Sequence, residues 1–307
     1  MNEEALIEKS VSALKKGDLL IYPTETVYGI GVDSQNIEGI KKLYKIKNRA
    51  IHKPLVLNVS SIDMVSKLAY ISEDTRLLME YFCPGPITFI FKSISEEKNI
   101  GFRMPDNSLT LKVIENSGAP ISGTSANISG LLASTNIEKT KNYFPQTDIF
   151  FLDGGKPRIG IESTILDMSA CENYKIIRHG IIAKEKIESI IKKTISDEQS
   201  EIYYSVEGNI KFLLTTTSQL EENKYHYTKE DHIWLVREST AKKLKLLKLK
   251  NVIILSDDSQ EALKNLYDII HSIQSNRVKI IVAEKREPIS YADKLFNEKI
   301  SMLAHRT

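Results

Sequence analysis

Cysteine is nearly absent. Cys83 and Cys171 are the two in 307 residues, and they form no Cys-x-x-Cys pair. This excludes a disulfide-stapled scaffold and a structural zinc site, and it fits a reducing compartment. No charge of one sign dominates: 42 basic and 40 acidic residues leave a net +2. No global field draws the protein to nucleic acid or membrane, so any RNA contact falls to a local patch. Long apolar runs are missing too. Glu3, Glu4, Glu8, Lys9, Lys15 and Lys16 interrupt the first seventeen positions, so neither a signal peptide nor a membrane span is expected, and the expected location is the cytoplasm. Familiar phosphate and metal signatures are also lacking. There is no G-x-x-x-x-G-K-[ST] loop, Gly29-x-Gly31 is followed by Ser34 in place of a third glycine, and the six histidines show no HExxH or other metal-ligand spacing. A phosphate site would need side-chain cations, and a divalent metal would have to arrive with a nucleotide.

What is present is enough apolar residue, 41%, to bury a core in a chain longer than one typical domain. Strands are expected at Leu19–Tyr22, Pro54–Val59, Ile87–Phe91, Ile100–Met104, Ile149–Leu152, Thr164–Met168 and Ile176–Arg178. Helices are expected at Glu4–Lys15, Ile37–Lys47, Ser72–Tyr81, Ser108–Ser117 and Ala183–Lys193. This predicts an α/β domain over residues 1–195 with a many-stranded mixed sheet. Residues 196–230 lose the pattern, apart from a strand near Ile210–Leu214, and read as a linker. Over 231–307 the rhythm returns: strands at Ile233–Val236, Val252–Leu255 and Val278–Val282 alternate with helices at Thr240–Leu249, Gln260–Gln274 and Tyr291–Ala304. That order predicts a small Rossmann-like parallel α/β domain. The lysine-rich run Lys242–Lys250 reads as a solvated helix face ahead of an anion or RNA contact.

Three polar clusters follow strands. Pro23-Thr24-Glu25-Thr26-Val27-Tyr28-Gly29 puts hydroxyls and a carboxylate just after the first strand, where α/β folds place chemistry, with Lys47-x-Arg49 about one helix later. Alone, those two cations read as favourable charge at a helix C-terminus. The run Ser122-Gly123-Thr124-Ser125-Ala126-Asn127-Ile128-Ser129-Gly130 reads either as an ordinary loop or as a glycine-flanked cradle for phosphate oxygens. Asp153-Gly154-Gly155 and Gly160-Ile161-Glu162-Ser163-Thr164 form the third. Arg103 and Arg178 are single cations within apolar strands, and a buried arginine needs an anionic partner. Cys83, before Pro84-Gly85-Pro86, reads as packing, since no cation or base is identifiable beside it.

Taken in order with Pro84-Gly85-Pro86-Ile87-Thr88, Arg103-x-Pro105, Ser125-Ala126-Asn127-x-Ser129-Gly130 and Gly160-x-Glu162-Ser163-Thr164, these motifs resemble the YrdC-like threonylcarbamoyl-AMP synthases over residues 5–190. The tail resembles the extra domain of the family's long form. The resemblance implies a twisted open α/β sheet with a positively charged hollow. It implies condensation of L-threonine, bicarbonate and ATP, with Mg²⁺, to threonylcarbamoyl-AMP and pyrophosphate. The product would pass to a transferase complex that modifies the adenosine beside the anticodon of ANN-decoding tRNAs; a weak tRNA contact and no membrane partner are expected.

By the same resemblance, Lys47 and Arg49 are the catalytic cations. They hold ATP with Lys53, Ser125, Asn127, Arg178 and a lid residue, Tyr227, while Thr26, Asn58, Arg103, Gly123 and Ser163 hold threonine, Arg103 through its carboxylate. Three departures accompany it. Asn58 stands where the family often has histidine, Cys83 where it has an aromatic residue, and His226-Tyr227-Thr228-Lys229 resembles the long form's His-Tyr-Ala-Pro segment without its last two residues. Two other readings share these residues: a non-catalytic double-stranded RNA or tRNA-binding module, and a carbamoyl-adenylate-forming carbamoyltransferase. The second is disfavoured because two distant cysteines cannot build its zinc fingers.

Overall fold

A computed structural model of the chain describes residues 2–95, 97–145, 148–170, 173–198, 210–222, 231–273 and 278–304. The chain divides into two compact units: Met1–Ser129 with Ala133–Ser200, and Glu201–Thr307 with Gly130–Leu132.

The first unit runs α1 (Glu3–Lys16), β1 (Leu19–Tyr22), β2 (Gly29–Asp33), α2 (Ile37–Ile46), β3 (Val56–Asn58), α3 (Ile62–Ser66) and α4 (Glu73–Phe82). It continues through β4 (Ile87–Lys92), β5 (Asn99–Arg103), α5 (Ser108–Ser117), β6 (Ile121–Ser125), α6 (Ile137–Tyr143) and β7 (Ile149–Phe151). Then follow β8 (Thr164–Asp167), β9 (Lys175–Arg178), α7 (Lys184–Ile191) and β10 (Ser196–Asp197). Local chemistry explains the helix ends. The side chains of Asn2, Asn36, Ser72 and Asn107 accept from backbone N–H groups in the first turns of α1, α2, α4 and α5. Gly17 and Gly118 close α1 and α5 at φ 83° and 77°, a left-handed conformation that glycine adopts without strain.

The ten strands form one mixed sheet in the order β10-β9-β8-β4-β5-β3-β6-β2-β1-β7. Side chains alternate across it. Leu19 and Ile21 of β1 join a core with Leu43 of α2 and Phe144, whereas Leu20 and Tyr22 join another with Ile7 and Leu14 of α1 and Val113 of α5. Neighbours on a strand point to opposite faces, so β1 is covered on both sides, and its four residues are all buried. A third core gathers Phe89, Phe91 and Phe102 of β4 and β5 with Leu78 and Met79 of α4 and Ile187 of α7.

The second unit carries β11 (Lys211–Thr215), α8 (Thr217–Glu222), β12 (His232–Arg237), α9 (Glu238–Lys243), β13 (Val252–Leu255), α10 (Ser259–Ser272), β14 (Ile280–Glu284) and α11 (Tyr291–Ala304). Its sheet, in the order β11-β14-β12-β13, is parallel throughout. Trp234 and Val236 pack with Leu220, Ala241, Leu246 and Val282.

Three expectations change. The stretch 196–230 read as a linker contains β10, which pairs with β9, and β11 and α8, of which β11 is an edge strand of the second sheet. β11 matches the strand expected near Ile210–Leu214, and as an edge strand with Lys211 and Leu213 exposed it shows too little apolar pattern to mark the stretch as part of a domain. The polar run from Ser122 is no loop through Ser125: these residues are β6, an interior strand antiparallel to both β2 and β3. The helix expected over Thr240–Leu249 stops at Lys243, because Lys245 takes a left-handed conformation with φ 57°. Lys242, Lys243, Lys245, Lys248 and Lys250 are exposed, as a solvated run should be.

Candidate active site

β6 and the turn after it receive Lys47. This residue caps the C-terminus of α2, only 1% of it is exposed, and Nζ donates to the carbonyls of Ser125 and Asn127 and, at 3.4 Å, to Asn127 Oδ1. The Lys47 carbonyl accepts from Ser129 N–H (2.8 Å), and Ser125 Oγ donates to Asn127 Oδ1, so lysine, serine and asparagine form one network. Burial, and secondarily the neighbouring Arg49 charge, push the Lys47 pKa well below the ordinary lysine value. Arg49 donates to the carbonyls of Lys53 (3.3 Å) and Pro54 (2.8 Å), and burial lowers its pKa too. Asn48, between the two cations, has φ 50°, a left-handed turn after which Arg49 bonds a different segment from Lys47. The Lys53 side chain is exposed.

A second network lies at the end of β5. Arg103 Nη2 donates to Thr26 Oγ1 (2.5 Å) and Thr24 Oγ1 (3.4 Å). It also lies 3.0 Å from Glu25 Oε1, off the hydrogen-bond direction, so the contact is an ion pair rather than an aligned bond. Glu25 is 2% exposed, and its other oxygen accepts from Asp106 N–H (3.0 Å). Residues 159 and 160 dock on the same turn: Ile159 N–H donates to Glu25 O (2.8 Å) and Gly160 N–H to Thr26 O (3.0 Å). Cys83 stands close by. Burial and the Glu25 charge push its thiol up to about 12, with Arg103 opposing, so it stays protonated and packs.

A third network joins β4, β8 and β9. Arg178 Nε donates to Ser163 O (3.0 Å) and its Nη2 to Ser163 Oγ (3.1 Å), which is 2.8 Å from Thr88 Oγ1. Gly180 allows this approach, since a Cβ there would lie 2.3 Å from Thr164 N. Asn58 Nδ2 donates to Tyr22 Oη (2.9 Å) and Ile121 O (3.3 Å). Gly123 lies against the same pair: a Cβ would meet Tyr22 Oη at 2.2 Å. Burial raises the Tyr22 pKa, so it remains a neutral phenol.

Sheet register brings these networks together. Arg178 and Thr88 each pair with Ile165, Phe89 pairs with Phe102 one residue from Arg103, and Asn58 pairs with both Arg103 and Ile121. Arg178, Ser163, Thr88, Arg103 and Asn58 therefore form a band across β9, β8, β4, β5 and β3. Ser125 lies four residues beyond Ile121 on β6, about 13 Å along the strand. Tyr227 lies outside the described residues. Thr24, Glu25, Tyr22 and Thr88 joined the site without an assigned role. The signal for Glu25 was an acid between two threonines, whereas Tyr22 looked like any strand residue.

A mixed α/β sheet that gathers four buried or half-buried cations and a ring of hydroxyls is a site for small anionic molecules. The family model described as Telomere recombination (Sua5, YciO, YrdC) matches residues 12–180, more than half the chain. The protein belongs to this family. The threonylcarbamoyl-AMP synthase of Pyrococcus abyssi is 27% identical over 314 residues, covering 92% of this chain and 89% of that one. The enzyme of that name from Bacillus subtilis is 33% identical over 195 residues, which span 60% of this chain and 56% of the relative. The crystal structure of P. abyssi Sua5 complexed with L-threonine superposes with a TM-score of 0.84 at 23% identity, covering 99% of this chain and 95% of that one, so the two share a fold.

Proposed function

We propose that the protein is an L-threonylcarbamoyladenylate synthase, an ATP-using nucleotidyltransferase whose product serves the threonylcarbamoyladenosine modification of tRNA. The observation that carries this is the band from Arg178 to Asn58 with the Lys47 network beside it. One end offers Arg103, Thr26, Asn58, Gly123 and Ser163 to an amino acid. Lys47, Arg49, Ser125 and Asn127 are offered to phosphates, together with Arg178, which is bonded to Ser163, and the exposed Lys53.

Threonine's amine captures carbon dioxide from bicarbonate as a carbamate, with loss of water. The carbamate oxygen then attacks the α-phosphorus of ATP, the bond to the β-phosphate breaks, and pyrophosphate leaves with the electron pair. Neither step requires a protein nucleophile, which suits a site beside which the Cys83 thiol is held protonated. The protein's part is to position two substrates and neutralise charge. Lys47 illustrates this: its ammonium is aimed by three oxygens, and an arriving phosphate restores the charge that burial disfavours. Mg²⁺ would arrive with the triphosphate and supply charge neutralisation there. The adenylate would pass to a transferase acting on ANN-decoding tRNAs.

Purified protein given L-threonine, bicarbonate, Mg²⁺ and ATP should release pyrophosphate and form the adenylate. Omission of any one component should stop both. Pyrophosphate release that ignores threonine would overturn the reading.

A further inference from the structure

The site's cations are of two kinds. Lys47 and Arg49 donate to backbone carbonyls and an amide oxygen, and Arg178 to both oxygens of Ser163; among the described residues none of the three has a carboxylate partner. Arg103 has one. Glu25 lies 3.0 Å from Nη2, its side chain is wholly buried, and the bond from Asp106 N–H to its second oxygen prevents it from swinging away. Nη2 is further held by Thr26, while Arg103 Nε is buried and has no partner. The guanidinium thus keeps one buried N–H, at Nε, unpaired within an ion pair whose net charge is already zero.

We propose that Glu25 is the specificity-determining and positioning residue of the amino-acid subsite: it fixes the Arg103 fork and makes that subsite accept a carboxylate and reject phosphate. This rests on the reading of Arg103 as the receptor for threonine's carboxylate. A monoanionic carboxylate is planar, matches the guanidinium fork and meets the buried Glu25 charge with one negative charge of its own. A phosphate oxyanion is tetrahedral and carries more negative charge, so Glu25 repels it more strongly where water cannot screen the interaction. The same triphosphate meets no such carboxylate at Lys47, Arg49 and Arg178. Glu25 therefore sorts two anionic substrates between neighbouring cations, which cation count alone could not do.

A purely structural role is separable. Glu25→Gln keeps the size and an acceptor for Asp106 N–H but removes the charge and sets an N–H donor against Arg103. In calorimetric titrations the folded variant should bind L-threonine at least tenfold more weakly, and inorganic phosphate should now compete with threonine. Its KM for threonine should rise, with kcat at saturating threonine within about threefold of the parent. Glu25→Asp, which restores the charge, should recover rejection of phosphate. A folded Glu25→Gln protein with parental threonine affinity and parental phosphate discrimination overturns the proposal. Should neither variant fold, the parent still decides: phosphate must compete with ATP and not with threonine, and competition with threonine refutes the idea. A parent that does not bind threonine removes the proposed function and this inference together. A parent that makes the adenylate while Glu25→Gln changes nothing removes this inference alone.

Discussion

At Lys47 a functional need opposes stability. An ammonium withdrawn from water loses much of its hydration, and three oxygens compensate only in part. With its pKa well below the ordinary lysine value, Lys47 carries its proton only on the acid side of that lowered pKa, and an incoming phosphate favours the charged form. Nucleotide affinity should therefore fall as pH rises through the Lys47 pKa, and near it ATP binding should take up a proton. Titrations in buffers of differing ionisation enthalpy measure this; pH-independent affinity without proton uptake would contradict it. Lys47→Ala and Arg49→Ala should each lower the rate of pyrophosphate release by roughly 10²–10³, the cost of losing one preorganised charge-stabilising donor. Far-UV dichroism should remain parental. Parental turnover in either variant would place the phosphate clamp elsewhere.

At the scale of elements, two interior strands beside the site are the ones least like strands in sequence. β2 and β6 read Gly-Ile-Gly-Val-Asp and Ile-Ser-Gly-Thr-Ser, poor in the bulky residues that mark strands, and yet they pair along five residues. Small side chains are what the place requires. A Cβ on Gly31 would lie 2.7 Å from the Ser122 carbonyl and 2.5 Å from Ile121 Cγ2, while one on Gly123 would strike the Tyr22 hydroxyl. Gly31→Ala and Gly123→Ala should each cost about 1–3 kcal/mol in urea unfolding, the usual range for overpacking. Gly123→Ala should in addition raise the KM for threonine, because Tyr22 must leave Asn58; an unchanged KM would remove Gly123 from the amino-acid subsite. Helices were easier to read. α5 and α11 match their expected limits, since caps and the 3.6-residue period are local signals. α9 fell short because a single left-handed residue, Lys245, is invisible to periodicity.

At the scale of the molecule, each unit has its own buried apolar cluster around its own sheet. Calorimetry should resolve two transitions. Leu235→Ala, at a wholly buried position in β12, should lower one of them by about 2–5 kcal/mol of stability and leave the other in place. A single transition that shifts as a whole would mean the units unfold as one.

The residue order alone was enough to specify the α/β alternation, most helix limits, the motifs and their likeness to a family, because these depend on neighbours within a few positions. It also singled out Arg103 as a buried cation in need of an anion. That the anion is Glu25, 78 positions earlier, and that Lys47 is enclosed by carbonyls 78 and 80 positions later, was decided by tertiary structure. Strand order decided it: β6 lies between β2 and β3, the strands that flank Lys47 in the chain, and β3 lies between β6 and β5, which ends at Arg103. Such pairings bring distant segments into register, and no local period encodes which strands will meet.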